Sequence, residues 1–221
     1  MPWAARSLRA GAAVVALTAL AACADDGNRA VITTAATEYE PVTGRVVVVG
    51  DSLTVGAEEN LRRLAELHGF TLELSAAIGR QIPAGVDELR RLDAPSAELV
   101  VVALGTNDAA QPGFDRALAD ERIDQALAAT GGAPVAWVNV YRDPGTAAGD
   151  AAQVFNQALL EAESRHATLS ALDWAWFVRA HPEVMADDRV HHTWEGYVAR
   201  SRWLRDEIVT RLQPASAATP G

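Results

Sequence analysis

The stretch from Val46 to Gly56, Val-Val-Val-Val-Gly-Asp-Ser-Leu-Thr-Val-Gly, limits what this chain can fold into more than any other. Four consecutive β-branched residues make a short, continuously apolar run, the pattern of a strand buried on both faces of a parallel sheet. Gly50 ends the run. From about Ala57 the pattern becomes helical, with Leu61, Leu64 and Leu67 on one face and Glu58, Glu59, Arg62, Arg63 and Glu66 around it. Ser52 therefore falls at the carboxyl end of a central strand, just before a helix. Ligands bind at that edge of open α/β sheets. A serine in a tight turn beside helix N-terminal N–H groups is placed to act as a nucleophile. The plainer reading is that Asp51 and Ser52 only cap the helix, and the rest of the chain has to decide.

The strand and helix signals alternate from there on. Strand-like runs cover 70–74, 99–104, 134–140 and 168–172. Helical patterns cover a short segment around Val86, Leu89 and Leu92, then 116–129, 151–166 and 194–212. Strands alternating with helices imply βαβ crossovers, hence a five-stranded parallel sheet covered on both faces, a three-layer α/β/α domain. At 221 residues with 49% hydrophobic and 22% charged composition, the chain suits a single domain. No internal repeat is evident. Every basic residue is arginine, and the net charge is −10 with no basic stripe, which argues against nucleic-acid binding.

The N-terminus reads as a targeting segment. Arg6 and Arg9 precede an apolar run, Gly11 to Ala22, that is short for a membrane span. The only cysteine of the chain, Cys23, follows Leu20-Ala21-Ala22. That arrangement resembles the lipobox of bacterial lipoproteins, and the resemblance implies cleavage before Cys23 and its lipidation. The alternative is an ordinary secretory signal that happens to hold a cysteine there. Losing residues 1–22 with their two arginines would take the charge from −10 to −12. Residues 23–44 then form a lipidated cysteine and a polar tether, with a reach of roughly 25 Å if unstructured. The domain proper spans 45–213, and 214–221 is expected to be a disordered tail. Without a second cysteine the domain has no internal disulfide, so packing alone must stabilise it.

Four places at strand ends or in loops carry the residue types that acyl transfer needs. They are Gly50-Asp51-Ser52-Leu53, Ala77-Ile78-Gly79-Arg80-Gln81, Gly105-Thr106-Asn107-Asp108 and Asp188-Arg189-Val190-His191. In this order they resemble the four blocks of the SGNH (GDSL) hydrolases, over about Arg45 to Leu212. Each motif is weak alone, but four in sequence are specific. The resemblance implies a flavodoxin-like fold and a serine hydrolase. Ser52 would be the nucleophile, His191 its base and Asp188 the acceptor that fixes the imidazole tautomer. The Ser52 and Gly79 N–H groups and the Asn107 amide would be the oxyanion donors. No cofactor is implied. A metal is not expected either, because the Asp187-Asp188 and His191-His192 cluster lacks further ligands to complete a site.

Asp188 stands three residues before His191, whereas Asp187 has Val190 at that spacing, so His191 rather than His192 is taken as the base. His192 departs from the family, which usually has an apolar residue there; it is read as lining the site or standing in a solvated loop. Asp51 and Asp108 are read as structural. Arg80 is placed to bind a carboxylate or to pair with a surface acid. Further segments, Trp137-Val138-Asn139-Val140, Asn156, Leu172-Asp173-Trp174 and His181-Pro182-Glu183, look like those of the extracytoplasmic SGNH domains of peptidoglycan O-acetyltransferases. Those transferases commonly carry a multi-helix membrane domain that delivers the acyl group, and this sequence has none. The expected activity is therefore hydrolysis of an acyl ester, with O-acetylated envelope glycan as a candidate. The alternatives are transfer from a separate membrane acyl donor, or a non-catalytic envelope-binding lipoprotein. The expected location is the outer side of a bacterial membrane.

Overall fold

The structure is a computed structural model that describes residues 41–213. The signal segment, Cys23, most of the tether and the 214–221 tail lie outside the described residues.

The elements run β1 (Arg45–Gly50), α1 (Ser52–His68), β2 (Thr71–Ala76), α2 (Ile82–Arg91), β3 (Leu99–Ala103), α3 (Arg116–Ala129), β4 (Val135–Val138), α4 (Ala147–Arg165), β5 (Leu169–Leu172), α5 (Trp174–Ala180) and α6 (Trp194–Leu212). All strand pairs are parallel, in the order β2-β1-β3-β4-β5. The chain steps from β1 to β2 in one direction and returns past β1 to β3 in the other. With right-handed crossovers, that reversal puts α1 and α2 on opposite faces. It also makes the carboxyl ends of β1 and β3 the topological switch point.

Period-two alternation divides the core. Val47, Val49, Val100, Val102 and Trp137 face a layer built from α2, α3 and α4, through Ile82, Leu89, Ile123, Phe155 and Leu159. Val46, Val48, Val101, Ala136 and Val138 face the layer of α1, α5 and α6, through Leu61, Trp174, Val178, Leu204 and Ile208. The central strands are therefore apolar throughout 46–49 and 99–103, which is why they read as unbroken runs.

Several boundaries differ from the sequence expectation, among them the start of α4, at Ala147 rather than 151. Helix α1 begins at Ser52 itself, because Asp51 caps it: its side chain accepts the Leu53 N–H at 3.0 Å. Its first turn holds Thr54, which is buried, so tertiary packing overrides that residue's low helix propensity. The packed domain also starts earlier than Arg45. Val42 is buried, and its N–H donates to the His68 carbonyl at 2.9 Å.

Candidate active site

Ser52 occupies the first turn of α1, directly above the end of β1. The loop between α5 and α6 comes to it from the far end of the sequence. Ser52 Oγ lies 3.1 Å from His191 Nε2. On the other side of the ring, His191 Nδ1 is 2.6 Å from Asp188 Oδ2. A ring nitrogen facing a carboxylate carries the proton, which leaves Nε2 to accept from the serine hydroxyl.

Asp188 also folds its own loop. Its Oδ1 accepts the Val190 N–H at 3.0 Å and the His191 N–H at 2.9 Å. The His191 hydrogen bond first, then these two N–H groups, hold its pKa down to about 2. Arg189, between them, sits in the left-handed region at φ 58°, and its guanidinium reaches Asp143 at 3.0 Å. The loop is thus tied to the one that follows β4.

The other two blocks meet at the switch point. Asn107 Nδ2 donates to the Arg80 carbonyl at 3.1 Å and, at a longer 3.4 Å, to Asp51 Oδ2. With two acceptors facing the Nδ2 side, the amide has its orientation fixed. Gly79 has φ 73°, and a Cβ built there would meet nothing within 4 Å. Its backbone thus faces open space in a conformation that favours glycine. Neither the Ser52 nor the Gly79 N–H has an acceptor among the described residues. The groove beside Gly79 has a volume of about 380 Å³, and its walls include Ile78, Gln81 and Pro83.

Asp51 is 1% exposed and Asp108 0%, both as helix-capping or loop-bracing groups. Asp108 accepts the Ile82 N–H with both oxygens at 3.2 Å and pairs with Arg122, fixing the start of α2. Arg80 departs from its expectation. Its guanidinium donates to the Ser75 carbonyl at 2.7 Å and the Gly50 carbonyl at 3.2 Å, so it closes off the ends of β1 and β2. No acidic side chain among the described residues takes it.

His192 is the larger departure. It is buried, held edge-on between Trp174 and Tyr197 with both ring centroids at 5.3 Å. Burial, followed by the positive charge of Arg200, pushes its pKa down to about 3. It is therefore a neutral core residue that packs behind the site, where a solvated loop position was one expectation.

The motif segments beyond the four blocks are staples. Asn156 receives the Val140 N–H at 2.8 Å and donates to the Val140 carbonyl at 2.7 Å, pinning the end of β4 to α4. Asn139 donates to Asp173 and accepts from the Ala175 N–H, both at 2.8 Å, and so sets α5 in place.

Sequence reasoning missed α5 and two arginines. Arg142 reaches the Thr106 carbonyl at 2.9 Å and bears on the third block. Arg200 lies inside the core, 2% exposed. The signal for it was available: it falls on the inward face of α6, three residues after Tyr197 and four before Leu204.

Comparison with solved structures gives the same architecture. A lipase/acylhydrolase from Enterococcus faecalis superposes with a TM-score of 0.65 at 20% identity, covering 78% of this chain and 99% of that one. The C-terminal catalytic domain of peptidoglycan O-acetyltransferase A from Streptococcus pneumoniae gives 0.63 at 19%, covering 78% and 94%. A family 3 carbohydrate esterase from Clostridium thermocellum gives 0.61 at 16%, covering 78% and 100%. At such identities the likeness is one of fold. No curated protein matches in sequence. The sequence model of the GDSL-like lipase/acylhydrolase family, however, matches residues 48–199, well over half of the chain and inclusive of all four blocks. The chain belongs to the GDSL-like lipase/acylhydrolase family, as a serine-hydrolase-type acylhydrolase or esterase.

Proposed function

We propose that this protein is an extracytoplasmic serine esterase, anchored through a lipidated Cys23, that hydrolyses acetyl esters on cell-envelope glycans. The observation that carries the reading is the continuous line of hydrogen bonds from Ser52 Oγ through His191 to Asp188, at 3.1 and 2.6 Å.

In this reading Ser52 Oγ attacks the ester carbonyl while His191 Nε2 takes its proton. Ionised Asp188 holds the ring and stabilises the imidazolium. The carbonyl oxygen becomes an oxyanion, which the free Ser52 and Gly79 N–H groups and the Asn107 amide are placed to receive. Asn107 can serve because its longer contact, the one to Asp51, is the more easily exchanged. His191 then protonates the leaving alkoxide, and an acyl group remains on Ser52. Water, deprotonated by His191, attacks that acyl-enzyme and releases the carboxylate.

The fold likeness to the peptidoglycan O-acetyltransferase domain and to the carbohydrate esterase supports a glycan-borne ester as substrate. The first of these also favours a second reading, transfer of the acyl group from a separate membrane donor to a glycan hydroxyl. An acetylated glycan substrate tests both. Free acetate as the main product establishes hydrolysis, and acetyl groups moved to an added acceptor glycan establish transfer. Reaction of Ser52 with an organophosphonate ester, lost in Ser52→Ala, tests the nucleophile. Labelling of that variant at the wild-type rate would overturn the assignment.

A further inference from the structure

Two carboxylates in the described residues are fully buried, Asp51 and Asp108, and each needs a counter-charge. Asp108 has one in direct contact, Arg122. Asp51 has no arginine within ion-pair distance among the described residues. Its side chain takes the Leu53 N–H, the Thr106 hydroxyl and the Asn107 amide, all neutral donors.

Arg200 presents the complementary problem. It is buried on α6, its Nε and Nη1 have no hydrogen-bond partner among the described residues, and it lies 4.9 Å over the Trp174 ring. An aromatic face offsets part of the cost of burying a guanidinium but leaves its charge uncompensated. Beside Arg200 is a small cavity of about 10 Å³, bounded also by Leu53, whose N–H Asp51 accepts, and by Thr106, Asn139 and His192 among others. Such a space admits one water-sized occupant. Asp51 and Arg200 are each other's leading charge interaction.

The remaining charges around this pair are few. Arg142, half-buried, faces Asp51 from the loop after β4. Tyr197 and the neutral His192 face Arg200, and the Asp188–His191 pair stands beyond them. Asp51 touches both halves of the site: it caps the turn that holds Ser52 and accepts from Asn107. A protonated Asp51 would present a donor where these groups require an acceptor.

We infer that Arg200 is a positioning residue for ester cleavage: it is the buried counter-charge of Asp51, and through Asp51 it holds the Ser52 turn in place and keeps the Asn107 amide aimed at the site until the oxyanion replaces Asp51 as its acceptor. The inference rests on the proposed roles of Ser52 and Asn107 and extends them to a residue that touches neither substrate nor triad.

The test is a set of four variants, Arg200→Met, Arg200→Lys, Asp51→Asn and the Asp51→Asn/Arg200→Met pair, assayed on a small activated ester across pH. Asn caps a helix about as well as Asp, so Asp51→Asn removes charge and keeps the cap. Removing a nearby cation raises a carboxylate's pKa, so in Arg200→Met the activity on the acid side should fail at a pH higher by about one unit or more. At its pH optimum kcat should drop about 10- to 100-fold, less than deletion of an oxyanion donor, with KM little changed. Arg200→Lys should restore the acid side. The double variant should lack the added acid loss, and its loss of Tm should be smaller than the sum of the single losses. An Arg200→Met profile with the wild-type acid side, or strictly additive Tm losses, overturns the inference. If Arg200→Met does not fold, the double variant must fold better than it does; failure of both also overturns it. Phosphonate labelling of wild-type Ser52 is scored separately. If that fails, the ester-cleaving reading falls, and the Tm coupling still tests the charge pair.

Discussion

Asn107 donates its side-chain amide to the main-chain carbonyl of Arg80, at 3.1 Å. The loop after β3 thereby fixes the loop after β2, the one that carries Gly79. A single side chain thus supplies one oxyanion donor and steadies the peptide that supplies another. Asn107→Ala should lower kcat for a soluble ester by at least the ~10²–10³ typical of losing one donor, with a much smaller change in KM. Steady-state kinetics of the variant decide it. A kcat within a few-fold of wild type would mean that Asn107 serves structure only.

Ser52→Ala and His191→Ala should each abolish turnover, and the double variant should be no worse than either, because the two residues act as one proton-transfer unit. His192→Ala should retain most activity. Should the His192 variant prove inactive while His191→Ala works, the base would have been assigned to the wrong histidine.

Histidine 192 also sets a pH dependence of stability. Its pKa is about 3 when folded, below the ordinary value of 6.5. The unfolded chain therefore binds a proton that the folded one refuses between those two values. The stability it permits is complete above about 6.5 and is lost as pH falls toward 3, at about 1.4 kcal/mol per pH unit at most. His192→Leu removes this loss together with two ring nitrogens that lack partners. Thermal melts should show the variant at least as stable as wild type near neutrality, with its advantage growing as the pH is lowered through 5. An advantage that stays constant with pH would show that His192 titrates normally.

The location is tested at Cys23. If it is lipidated, the protein fractionates with membranes in a bacterial host that processes lipoproteins, and Cys23→Ala moves it to soluble or unprocessed material. At least two acyl chains on a lipoprotein cysteine suffice for stable anchoring. An acidic domain draws no help from anionic headgroups. Mass spectrometry showing a cleaved, lipid-free wild-type protein would make Cys23 merely the residue after an ordinary signal.

Much of this molecule could be read from its sequence, because the informative features are local. The valine run of β1, the bounds of α3 (Arg116–Ala129) and α6 (Trp194–Leu212), and the three-residue spacing of Asp188 and His191 each depend on neighbours along the chain. The start of α1 did not show, because Thr54 and Val55 disfavour helix until packing and the Asp51 cap decide the matter. The seven residues of α5 were hidden by Trp174, Trp176 and Phe177, which suit a strand as well as a helix. The fates of His192 and Arg200 depend on residues far away in sequence. No periodicity announces that two polar groups will share one small cavity.

The nucleophile and its base are 139 positions apart, one opening the first helix and the other just preceding the last. Those helices lie against each other with Tyr197 seated where a side chain at Gly56 would be, 2.3 Å from a Cβ built there. Chemistry in this chain therefore waits for its own completion. A partly synthesised polypeptide that ends before His191 carries a serine with nothing to take its proton. Turnover is in this sense a gauge of whether the two ends of the domain have met, and even a methyl group at position 56 would be felt first as lost activity.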